Sequence, residues 1–178
     1  MNIKDAQNDM RRSYLGGGPG AVISGIVWLT AGILAFYTSA LTSILVFFFG
    51  GMLIHPLGIA ISKYLNRSGK HKKENPLALL ALESTLLLFI GLLIAYVIFY
   101  TKPEWFFAIM LMIIGVRYAL FQSIYGMKIY WVFGLVLTVL GVVSLLTSQS
   151  LGVPAIAGGV TELLFATLIF RSELQQPA

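Results

Sequence analysis

Glu83, Arg117 and Glu162 carry charge inside runs that otherwise read as lipid-facing helix, and His55 is an ionisable residue in another such run. A charge at the centre of a membrane helix costs a few kcal/mol, about 2.5–3.5 on insertion scales, so such residues are rare and usually paired or functional. Two carboxylates and one guanidinium at a common depth support two kinds of chemistry. Arg117 can pair with Glu83 or Glu162 and lock neighbouring helices together. Alternatively, Arg117 neutralises one carboxylate, or an incoming anion, and the remaining Glu exchanges a proton as its surroundings rehydrate. His55 can serve as its partner or as a second titrating group. Ser84, Thr85, Tyr118, Gln122 and Thr161 lie nearby in sequence and are expected either to complete a polar cavity or to make helix–helix hydrogen bonds.

The elements that must position these side chains are six apolar runs, at 20–37, 40–62, 77–100, 105–125, 130–148 and 153–170. Each approaches the roughly 20 residues needed to cross about 30 Å of hydrocarbon as a helix. The runs are continuous rather than alternating, which predicts helices and not barrel strands. Measured from the ends of these runs, His55, Glu83, Arg117 and Glu162 all fall about 10–14 Å from the same edge of the membrane, at 1.5 Å per residue. Pro56 directly follows His55 and predicts a bend in the second span.

Lysine and arginine set the expected orientation. Lys4, Arg11, Arg12, Lys63, Arg67, Lys70, Lys72, Lys73, Lys128 and Arg171 fall on one side of the six runs, and only Lys102 falls on the other. The positive-inside rule therefore places both termini in the cytoplasm and the protein in the cell membrane. Tyr100, Trp105, Tyr130 and Trp131 are expected as interfacial aromatics. The basic segment 63–76 reads as a mobile cytoplasmic loop that meets anionic headgroups, with His71 solvated. Segment 1–19 reads as cytoplasmic, either as an amphipathic helix over its first 14 residues or as a loosely ordered tail. The glycines and Pro19 at its end read as a flexible lead into the first span.

Composition excludes several function classes. The 178 residues are 58% apolar and 11% charged, against about 25% charged for a soluble domain. One transmembrane domain, 1–178, accounts for the length. There is no cysteine, and no His-Glu-x-x-His or other metal-ligand spacing, so neither a metal nor a cofactor is expected and the chain does not read as an enzyme. The net charge is +5 and the basic residues cluster in loops and ends, which suits lipid headgroups and not a nucleic acid. Assembly into a homo-oligomer is admitted by the pattern. Arg11-Arg12 resembles an export signal only superficially, because five more spans follow the first, and the Gly16–Gly20 run lacks the Lys and Ser/Thr of a phosphate loop.

Small residues recur with the spans. Gly25, Gly32 and Thr38-Ser39 align with Gly134, Gly141 and Thr147-Ser148; Gly50-Gly51 aligns with Gly158-Gly159; Ser84 and Gly91 keep the same seven-residue spacing; and Gly115-Val116 echoes Gly159-Val160. Such spacing puts small residues on one helix face, where they let backbones approach in lipid. The expected architecture is all-α: six transmembrane helices as three hairpin repeats. This plan, with Phe133–Leu146 and Val153–Phe170 in particular, resembles the HdeD-type acid-resistance membrane proteins of bacteria. The N-terminal Asp9–Gly20 stretch resembles a family of uncharacterised small bacterial membrane proteins. The first resemblance implies a membrane stress or envelope-associated role; the second implies no activity. The polar layer itself points to the alternative, a small proton-coupled or anion-handling transporter or channel-like protein using His55, Glu83, Arg117 and Glu162.

Overall fold

The computed structural model describes residues 1–174, whose regular structure is all helical, with no strand among them. A short helix α1 (Ile3–Tyr14) precedes six long ones: α2 (Gly18–Tyr37), α3 (Ala40–Tyr64), α4 (Leu77–Phe99), α5 (Phe106–Tyr125), α6 (Ile129–Leu146) and α7 (Gly152–Leu174). The six are long and apolar enough to cross a membrane. Their bounds lie within a few residues of the apolar runs, because in hydrocarbon a run must satisfy its own backbone and does so as helix. Large apolar side chains such as Phe49, Leu93, Leu135 and Leu164 point outward, as they must where lipid is the solvent. The six helices make this a multi-pass membrane protein.

Local signals set several ends. Ser39 caps α3 by accepting a hydrogen bond from the Thr42 amide. Pro19 sits in the first turn of α2, where its missing N–H costs nothing. Gly16 and Gly17 adopt positive φ and turn the chain from α1 into α2. A Cβ on Gly17 would stand 2.7 Å from the Tyr130 hydroxyl, so both conformation and space require glycine there. Pro56 lies within α3, which continues through it as one helix.

Two close helix pairs hold the bundle. In the first, α2 lies on α7: Gly25 opposes Gly159, and Gly32 opposes Ala155 and Ile156. In the second, α6 lies on α5: Gly134 opposes Gly115, and Gly141 opposes Ala108 and Met112. A Cβ on Gly25 or Gly115 would meet the facing backbone carbonyl at 3.0 or 2.7 Å. Van der Waals packing at such contacts, rather than hydrophobic exclusion, associates helices in lipid. α3 packs on α2, and α4 packs on α5. The consecutive helices α6 and α7 meet only loosely, each committed to a different partner, and α3 and α4 barely touch.

The core follows from this arrangement. α5 is the most enclosed span, with Phe106, Phe107, Ala108, Met110 and Leu111 all buried. Their rings meet Trp28 and Phe47 edge-on or tilted, with Trp28 and Phe47 centroids 4.7 Å apart. Tyr130, expected at the interface, is fully buried and donates its hydroxyl hydrogen bond to the Gly16 carbonyl. It joins a stack running through Tyr118, Phe133 and Phe165.

Glycine tolerance should differ between the seams. Gly115→Ala puts a methyl group against backbone that cannot yield and should destabilise the protein by about 1–3 kcal/mol. Gly51, on α3 beside α4, has nothing within 4 Å of an added Cβ. Gly51→Ala should therefore keep or raise stability, by up to about 1 kcal/mol from helix propensity. Thermal melts of the two variants in detergent would contradict this packing if their order were reversed.

Candidate functional site

The sparse contact between α3 and α4 leaves a cleft whose back wall is formed by α2 and α5. It encloses about 600 Å³. Its polar side chains lie in one half of its depth, among apolar ones. Toward the end carrying α1, the lining includes Tyr14, Ser24, His55, His71, Thr85 and Arg117; toward the middle of the bundle it includes Trp28, Phe47, Phe48, Phe89, Leu92 and Met110. The side of the cleft facing outward between α3 and α4 is edged by exposed side chains, Met52 and His55 from α3 and Leu82 and Phe89 from α4.

Arg117 is half-buried, and its guanidinium lies over the Phe121 ring, 5.2 Å from the centroid. That position suits a cation–π contact. Its Nε is buried without a hydrogen-bond partner. Among the described residues it makes no ion pair; the one salt bridge found joins Arg11 to Glu173. The Trp28 Nε1, also on the cleft wall, is a second buried donor without a partner. Two residues that carry an orphaned donor therefore contribute to the lining of one cavity. An unsatisfied buried donor carries a desolvation cost of about 1–3 kcal/mol, more when charged, and a ligand bearing acceptor oxygens would relieve it.

Glu162 lies behind this wall and does not line the cleft. It is fully buried on α7, with both carboxyl oxygens outside hydrogen-bond geometry. Ser24 and Tyr118 stand beside it, and Arg117 is close enough to feel its charge without pairing. The structure thus brings together Arg117 and Glu162 across the wall and Arg117 and His55 across the cleft. Glu83 joins neither group. It is exposed on the outer face of α4, and the expected Glu83–Arg117 pair is not made. Equal depth was readable from span ends; the helical rotation that turns Glu83 outward was not. Ser84, Thr85 and Thr161 bond carbonyls on their own helices.

The end of the cleft is closed by segments outside the six spans. α1 is an ordered helix, not a loose tail. Asn2 caps it, and Ala6 and Met10 pack on Leu77 and Ile124. It also orders the 63–76 segment, expected to be mobile. Ser13 donates from its hydroxyl to the Lys70 carbonyl and accepts at its own carbonyl from the Gly69 amide, both at 3.0 Å. Asp9 Oδ2 accepts from the Lys72 amide at 3.0 Å and from Asn75 Nδ2 at 2.7 Å. His71, expected to be solvated, shares a 2.8 Å hydrogen bond with the Tyr14 hydroxyl and lines the cleft. Gln7 donates to the Ser123 carbonyl, and Arg11 Nε pairs with the buried Glu173 at 2.5 Å. These residues were missed as site residues because their partners lie 57–162 positions away. The helical spacing of the apolar Ile3, Ala6, Met10 and Tyr14 was the only signal they gave.

Comparison with known sequences agrees with a membrane bundle of undefined activity. Residues 3–172 match a family described as "Family of unknown function (DUF7010)". The chain belongs to this family. The match spans α1, the cleft and all four ionisable residues named above. No curated protein and no solved structure matches the chain.

Two consequences are measurable. Arg11→Ala leaves Glu173 buried without its cation and should lower stability by about 1–3 kcal/mol, since a hydrogen bond between charged groups is lost at a largely buried site. Amide exchange of residues 3–14 should accelerate in the same variant; unchanged exchange would show that the pair does not hold α1. Glu162→Gln keeps the volume and removes the formal charge from an apolar site that offers no ion pair, so its melting temperature should equal or exceed the parent's. A clear drop would mean that the carboxylate is stabilised by Arg117.

Proposed function

We propose that the protein is a non-enzymatic cell-membrane protein that binds an anionic ligand at Arg117, in the manner of a small transporter or carrier. The observation that carries this reading is the side chain of Arg117 on the wall of a 600 Å³ cavity, its Nε buried and unpartnered. A guanidinium offers five donors and is always charged, so an oxyanion is its natural complement. Glu162, within electrostatic range, is the group that would couple binding to a proton. The distribution of Lys and Arg supports an orientation with both termini and segment 63–76 in the cytoplasm, where the basic residues meet anionic headgroups. In that orientation Arg117 lies in the inner half of the bilayer.

The three-hairpin reading supplies a reason for the cavity. Gly25 on Gly159 and Gly134 on Gly115 are then equivalent seams, each joining the first helix of one hairpin to the second helix of another. The third equivalent seam would join α4 to α3 at Gly51, and there an added Cβ meets nothing. On this reading the cleft is the one seam of three that is left unpacked.

A second reading, an envelope-associated stress protein without flux, draws support from the resemblance to HdeD-type proteins and from the α1 clamp, which closes the end of the cleft. The two readings separate on binding. Inorganic phosphate and acetate, titrated against purified protein in detergent, should raise the parent's melting temperature. A ligand at about 100 times its Kd contributes about 2.7 kcal/mol. Arg117→Lys should keep part of the shift and Arg117→Gln should lose it. A shift of the same size in Arg117→Gln would refute anion binding at this residue.

A further inference from the structure

We propose that the cleft takes a single-chain anionic amphiphile directly from the membrane, entering between α3 and α4, with its headgroup at Arg117 and its chain among the aromatic residues deeper in the bundle. This rests on the anion-binding reading and names the ligand class. Three observations carry it.

The first is the gradient along the cavity. The lining residues of α5 run from Met110 to Tyr125, a length of about 22 Å at 1.5 Å per residue. Arg117 stands near the middle of that length. His55 stands at about its depth on the opposite wall; on one side lie Tyr14 and His71, and on the other lie Trp28, Phe47, Phe89, Leu92 and Met110. A small hydrophilic anion would leave the apolar half empty, and an apolar molecule would leave the Arg117 charge without a counter-charge. An amphiphile satisfies both halves.

The second is size. A water-sized group takes about 30 Å³, so 600 Å³ accommodates about 20 such groups. That fits one acyl chain with a carboxylate or a small phosphate head.

The third is access. The polar end is covered by α1 and by the Tyr14–His71 contact. The side between α3 and α4 is bordered by exposed apolar residues, and Gly51 removes the side chain that would obstruct it. The open path therefore faces the lipid side of the bundle.

The test uses Trp28, which lines the cavity, as the reporter. In a Trp105→Phe/Trp131→Phe background, reconstituted in zwitterionic nanodiscs, 9,10-dibromostearate should quench Trp28 fluorescence saturably, and unlabelled stearate should reverse it. The methyl ester of the same brominated chain should quench only in the linear manner of a bulk lipid. Arg117→Gln should raise the half-saturating concentration about ten- to hundredfold, the loss of a charge-assisted hydrogen bond. Gly51→Leu, a substitution into open space that the fold should accept, should reduce the saturable phase by obstructing the seam. Equal saturation by acid and ester would overturn the assignment of the headgroup to Arg117. Non-saturable quenching by the acid, in protein that phosphate still stabilises through Arg117, would overturn the amphiphile and leave anion binding standing. Absence of both responses would overturn both readings.

Discussion

Close approach of helix backbones at two glycine seams is the constraint on which the rest of this structure depends. Lipid gives apolar side chains little reason to prefer one another, so helices associate through shape. Gly25 against Gly159 fixes α2 on α7, and Gly115 against Gly134 fixes α5 on α6. With those contacts set, α6 and α7 cannot form a tight hairpin despite being consecutive, since each already faces another partner. α3 and α4 are then carried to the two sides of a gap. The cleft is thus a consequence of where packing is good as much as of where it is absent.

The electrostatic features make sense against this frame. Arg117 and Glu162 project from α5 and α7 toward the same region, but the seams hold their helices so that the two do not form an ion pair. A buried pair in ideal geometry would lock the bundle; a buried pair held apart leaves the arginine's donor and the carboxylate's acceptors unsatisfied. Such groups persist only when the surroundings over-determine them or when something else satisfies them, and for Arg117 the cavity beside it gives that second partner room. The α1 helix adds a lid of a different kind. Its contacts are polar, specific and long-range, with Arg11–Glu173, Tyr14–His71 and Asp9–Asn75 joining the start of the chain to its middle and end. Residues outside the six spans therefore shape the cleft as directly as those within them.

The spans were legible in the sequence because hydrophobic run length and membrane thickness are coupled by helix geometry alone. The small-residue faces were legible for a related reason: a seven-residue spacing returns to the same side of a helix whatever the helix packs against. Depth was legible too, since it counts residues from a span end. Rotation was not. Glu83 shares the depth of Arg117 yet lies on the outward face of its helix, and the nearly uniform hydrophobicity around α4 offers no pattern from which that face could be read. Tyr130 illustrates the same limit, since a tyrosine at a span end suits the interface equally well until the Gly16 carbonyl is placed beside it.

By itself, then, the sequence determined that this is a six-span helical membrane protein with ionisable residues in its spans, a set of small-residue faces and a strongly one-sided charge distribution. All of these follow from local composition and period, which act within one helix. Tertiary structure alone decided which helices pair, which ionisable residues meet, and that a gap remains between α3 and α4. Those outcomes depend on backbone contacts between segments up to 134 positions apart, as for Gly25 and Gly159, and in lipid such contacts are selected by shape complementarity across the whole bundle, a property that no single segment carries.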